Sequence, residues 1–153
     1  AGAITSNIED MLLYAKMQLE ENPLFDDCHK SLKKVDGSNK MSKSIGINID
    51  EIGMSWIIDT ENNFLWHNGG TGHYNSYLGF NKKTGNGVVV LSNLSPMKKI
   101  PATVIGIKLL KELDEAEKIG VKKSKKLISK IIHLKMKRLF RDILPSLSKL
   151  INV

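Results

Sequence analysis

The run His67-Asn68-Gly69-Gly70-Thr71-Gly72-His73 holds the side chains of this chain best placed to do chemistry. An imidazole titrates near neutrality and can give or take a proton. Three glycines in four residues strip the side-chain bulk from the strand beside it, so another group can lie against the main chain there. Two readings of the run stay open on the residues alone. In one, a substrate carbonyl hydrogen-bonds to an exposed main-chain N–H, which is how an oxyanion site is built. In the other, a neighbouring strand packs against the glycines and His67 is a satisfied buried group. A phosphate-cradling loop is the wrong description, because such loops run into a helix N-terminus and this one runs into "YNSYLGF". A metal held by His67 and His73, or by Cys28 and His29, lacks a third and fourth ligand at suitable spacing. No metal or cofactor is expected.

The elements that must position this run are legible from periodicity. Ser6 and Glu9 have capping-box spacing, with Ile4 placed as a hydrophobic staple. Ile8, Met11, Leu12, Ala15 and Leu19 then recur at helical spacing, which predicts an amphipathic helix over 7–20, ending before Pro23. Residues 21–50 are polar and weakly patterned, and "DGSNKMSKS" reads as an exposed loop. From Gly53 the period changes. "GMSWIID", "FLWHN", "YNSYLGF" and "VVVLSN" read as four strands, with "TENN" and "NKKTGNG" as turns between them. Strands this close in sequence are antiparallel neighbours. Pro101 suits the first turn of a helix to about Ala116, with Val104, Ile107, Leu110 and Leu113 on one face. The expected class is α+β, an antiparallel sheet flanked by helices.

With 153 residues, 41% hydrophobic and 25% charged, the chain can bury a real core as one ordinary domain. It opens at Ala1 and not at a methionine, as a processed product or a piece of a longer polypeptide does. A single cysteine, Cys28, excludes an internal disulfide framework and a four-thiolate zinc site. The net charge of +7 is segregated: residues 118–153 hold eleven Lys or Arg against one acid, Asp142. In that segment Leu127, Ile128, Ile131, Ile132, Leu139 and Ile143 fall at roughly helical spacing, and Pro145 ends or kinks the helix. Residues 117–153 therefore read as a basic amphipathic tail, suited to an anionic membrane surface. Nucleic acid is the less favoured partner, since Phe140 is the tail's one aromatic residue. The alternative is that the apolar stripe packs on the body while the lysines are solvated.

"HNGGTGHYNSYLGF" followed by "GVVVLSN" resembles the third active-site motif, and the two strands after it, of the serine β-lactamase and penicillin-binding-protein superfamily. The similarity is to the class C-like branch, with its esterases and D-aminopeptidases, where His-x-Gly often replaces Lys-Thr-Gly. "AGAITSNIEDMLLYAKMQL" is similar to that branch's Ala-Gly-Gly segment and helix, "GMSWIID" to its Gly-Leu-Gly-Trp strand, and the helix from Pro101 to its closing helix. The resemblance spans roughly residues 1–116, with 21–50 poorly matched. It implies the C-terminal portion of a partial β-lactamase-like sandwich. It also implies acyl transfer through a serine acyl-enzyme on a small-molecule or peptide amide or ester, and a bacterial cell-envelope or exported location. His67 would polarise the site and bind an acidic or carbonyl group. Gly70 would offer its N–H as one of two oxyanion donors, with Asn68, Gly69 and Thr71 alongside the substrate.

Departures from the pattern limit what this chain can do alone. Lys83-Thr84-Gly85 spells the usual triplet but falls in a hairpin turn. Ser31-Leu32-Lys33-Lys34 and Ser146-Leu147-Ser148-Lys149 spell Ser-x-x-Lys, yet neither precedes a Tyr-x-Asn, and the chain contains none. Both read as coincidences of a lysine-rich chain. Nucleophile, proton acceptor and oxyanion hole must share one cleft. The chain is thus expected to supply part of the oxyanion hole and to be inactive without the remainder of the parent domain. The rival expectation is a non-catalytic binding or membrane-associated module.

Overall fold

Asn7 starts the first helix, α1 (Ile8–Leu19): its side chain accepts from the Asp10 N–H at 2.9 Å and donates back to the Asp10 carboxylate at 2.9 Å. The reciprocal cap therefore sits one residue later than the Ser6–Glu9 spacing predicts. An amide carries both a donor and an acceptor and closes the loop with Asp10, which a hydroxyl does less completely. Ile4 is 92% exposed and makes no staple. The computed structural model describes residues 4–94 and 101–118; the expected basic helix, Pro145 and Ser146 lie outside the described residues.

The stretch 21–50 is more ordered than its weak pattern suggests. Asn22 caps a single turn, α2 (Pro23–Asp26), and Asn39 caps α3 (Lys40–Ser44), each side chain accepting a backbone N–H. Between them Lys33–Lys34 forms a short strand, β1. It pairs with β2 (Glu51–Ile52), and β2 pairs with β3 (Ile57–Asp59), all antiparallel. "GMSWIID" is accordingly a tight turn followed by a strand: the Gly53 N–H donates to the Trp56 carbonyl at 2.8 Å, and Ser55 takes a positive φ of 65°. β4 (Phe64–Gly70), β5 (Asn75–Asn81) and β6 (Asn86–Ser92) complete an antiparallel sheet of six strands in chain order. After Pro101, α4 (Ala102–Lys118) closes the α+β unit.

Alternation of side chains through the sheet sends two sets of residues to two faces. Phe64, Trp66, Tyr77 and Val88 meet Ala102, Ile107 and Leu110 of α4. On the opposite face Leu78 and Phe80 meet Ala15 of α1 and Trp56. Tyr77 sets the distance of α4 from the sheet. A methyl group on Gly106 of α4 would lie 2.0 Å from its ring, and one on Gly79 of β5 would lie 2.0 Å from its hydroxyl oxygen. Both positions thus exclude any side chain larger than hydrogen while Tyr77 holds this rotamer.

A candidate binding edge on β4

β4 is paired unequally on its two sides. β5 follows it from Leu65 to Gly70, whereas β3 reaches only as far as Ile57, opposite Trp66. From His67 onward the β3 side has no partner strand among the described residues. In an antiparallel ladder alternate residues direct their N–H and C=O to one side, so this edge presents unpaired main-chain donors and acceptors. His67 through Tyr74 are all exposed.

The predicted residues divide between the two faces of this edge. His67 and Gly69 lie on the α1 side and Asn68 and Gly70 on the α4 side, by alternation from Trp66. His67 stands opposite Leu78, and a methyl group on Gly69 would come within 2.9 Å of Ser76 Oγ. Asn68 is committed on one end: its Nδ2 donates to Thr103 Oγ1 of α4 at 2.9 Å. Thr71 is committed too, since its N–H donates to the Tyr74 carbonyl at 2.8 Å and its Oγ1 accepts from the Tyr74 N–H at 3.2 Å. That turn reverses the chain into β5, and Gly72 within it faces open space. The glycine run therefore leads from strand to strand and not into a helix.

Two residues that sequence reasoning passes over hold the rim in place. The buried Asn75 accepts from the Ala102 N–H, the start of α4, and donates to the Leu94 carbonyl at 2.6 Å. Thr103 receives Asn68. Together they tie the first turn of α4 to the end of the glycine run. The available signal was an asparagine inside a strand, a residue type that sheets disfavour.

The decoys fall elsewhere. Lys83-Thr84-Gly85 occupies the β5–β6 turn, where Gly85 has a φ of 71° and Thr84 Oγ1 donates to Asp114 at 2.8 Å. Ser31 is exposed and leads into β1, not into a helix. Serine and lysine three apart share a face on a helix, but on extended chain they point to opposite sides. A shallow pocket bordered by Thr60, Asn63, Lys82 and Lys83 opens at the other end of the sheet, away from His67.

Among the described histidines, His29 is the one with a structured environment. Its Nε2 donates to the buried Gln18 Oε1 at 2.7 Å, and its ring packs edge-on against Trp56 and Phe80. Burial holds its pKa below the ordinary 6.5, Lys82 pushes the same way, and Asp26 opposes them. Cys28 beside it donates to the Leu24 carbonyl at 3.7 Å. Among the described residues no three His, Cys, Asp or Glu side chains gather as metal ligands. No family model and no curated protein sequence matches the chain.

Proposed function

We propose that the chain supplies the third active-site motif of a serine β-lactamase-like hydrolase, its sheet forming one side of a partial β-lactamase-like sandwich. The observation that carries this reading is the free edge of β4: four exposed residues from His67, poor in side chains, beyond the reach of β3. An acyl group lies along such an edge by main-chain hydrogen bonding, as a peptide adds to an open strand. In the reaction a serine Oγ attacks the carbonyl, the Gly70 N–H is one of two donors to the developing oxyanion, and the amine or alcohol leaves with a proton. Water then hydrolyses the acyl-enzyme. His67 polarises the site and binds an acidic or carbonyl group, with Asn68, Gly69 and Thr71 flanking the substrate. The Asn68–Thr103 bond supports the role by fixing the strand to α4 before substrate arrives. The serine and its lysine or tyrosine partner belong to the remainder of the parent domain.

The test has two parts. Sequencing the gene upstream of Ala1 should reveal a Ser-x-x-Lys followed by Tyr-x-Asn. The joined product should hydrolyse nitrocefin or a nitrophenyl ester, while residues 1–153 alone should not. His67→Ala in the joined product should lower kcat/KM by about 10²-fold or more, the scale of losing one oxyanion-type contact. Absence of the upstream motifs, or an unaffected His67→Ala, overturns the reading. Turnover by the chain alone that Ser31→Ala abolishes would move the nucleophile to Ser31.

The segregation of charge in the sequence favours a second reading, a non-catalytic module that keeps the sheet and uses residues 118–153 as a basic amphipathic helix on anionic lipid.

A further inference from the structure

The pairing of β4 with β5 brings four residues together on the α1 side of the sheet. His67 stands opposite Leu78, and Gly69 opposite Ser76. Ser76 is therefore the diagonal neighbour of His67, at a spacing of about 7–8 Å that an aromatic side chain spans. Leu78 is buried, Ser76 is half-buried, and His67 and Gly69 are exposed.

The hydroxyl of Ser76 is directed at Gly69. A methyl group on Gly69 would lie 2.9 Å from Ser76 Oγ, so the oxygen takes the space that a side chain at 69 would fill. It leans over β4 from the next strand. The fold makes no use of it there. Both asparagines of β5 are committed to structure, Asn75 to the Ala102 N–H and the Leu94 carbonyl, Asn81 to Asp114 and the Asn62 carbonyl. The side chains of Ser76 and His67, by contrast, have no hydrogen-bond partner among the described residues. Burial strips water from a hydroxyl, and a polar group so placed calls for a partner. Here an unused donor sits beside an unused imidazole.

We propose that Ser76 is a further substrate-binding residue: its hydroxyl and the His67 imidazole together donate to a second oxygen of the substrate, a carbonyl or carboxylate apart from the reacting carbonyl. The proposal rests on the hydrolase reading, which puts the reacting carbonyl at the Gly70 N–H. A carbonyl bonded to that N–H lies near the plane of the sheet, and substituents along an edge-bound chain alternate between the two faces. Those on the α1 face meet His67 and Ser76. Two convergent donors beside a bare strand fix orientation and select substrates that carry the second oxygen. The placement needs only the β4–β5 pairing, in which both strands are described, and holds whatever strands extend the sheet.

The test uses the joined product and three substrates. Nitrophenyl acetate has no second oxygen on its acyl part, the nitrophenyl ester of N-acetylglycine adds an amide carbonyl, and nitrocefin brings a carboxylate as well. Ser76→Ala should raise KM by about 3–10-fold on a substrate with the second oxygen, the scale of one hydrogen bond, with kcat unchanged. Turnover of nitrophenyl acetate should be unaltered, and Ser76→Thr, which keeps a hydroxyl, should retain the original KM. A loss on both larger substrates names the amide carbonyl as the acceptor, and a loss on nitrocefin alone names the carboxylate. Equal losses on all three substrates, a loss that Ser76→Thr shares, or no loss at all overturns the proposal. In a product that still needs His67, such a result leaves the hydrolase reading standing. A joined product inert toward all three substrates overturns that reading and this inference with it.

Discussion

His29 shows how one side chain makes stability depend on pH. With Gln18 as acceptor the proton sits on Nε2, and Nδ1 lies buried without a partner among the described residues. Charging the ring would put an uncompensated proton in that interior. The folded pKa is therefore depressed, and the unfolded chain binds the proton first as pH falls. Stability is complete above pH 6.5 and declines below it. Asp26 adds a separate loss at lower pH, because its hydrogen bond from Lys82 holds its carboxyl below the ordinary 3.8. Thermal melts should show a falling Tm as pH drops below 6.5, and His29→Gln should flatten that limb while leaving the carboxylate limb in place. A histidine's surroundings cannot be read from its neighbours in sequence. His67, at the end of an apolar run, is exposed, whereas His29, in a polar stretch, packs on Trp56 and Phe80.

At the scale of elements, Asp114 fastens α4 to the β5–β6 hairpin. The carboxylate is buried and accepts from Asn81 Nδ2, Thr84 Oγ1 and Asn86 Nδ2. Asp114→Ala strands these donors, and a urea titration should register a loss of about 3 kcal/mol, the upper end for an unsatisfied buried polar group. Asp114→Asn, which keeps an acceptor, should lose less. α1, α4 and the last three strands were legible because their apolar periods run long enough to declare themselves, whereas α2 and α3 are too short to carry one. The two-residue strands β1 and β2 carry no period at all and exist through pairing, β1 with β2 and β2 with β3, which local sequence does not report. The glycine run announced a bare strand but not which side of it was open. That depended on where β3 begins, at Ile57 opposite Trp66, directly after the turn through Ser55.

For the whole molecule, charge is divided along the chain, with a mildly acidic stretch to residue 117 and a strongly basic one after it. If the basic segment works on lipid, the full chain should pellet with anionic vesicles at low salt and release at high salt, since screening shortens the reach of each lysine. Truncation after Ala116 should abolish the binding, and retention by neutral vesicles or a preference for DNA would count against it. Strand order equals chain order across the sheet, so each strand finds its partner as soon as it is made. The last of the described elements to arrive is α4, which roofs Phe64, Trp66, Tyr77 and Val88. A nascent chain halted before Pro101 thus carries a zipped sheet with its aromatic side still wet, and in that interval during synthesis a chaperone has most to hold.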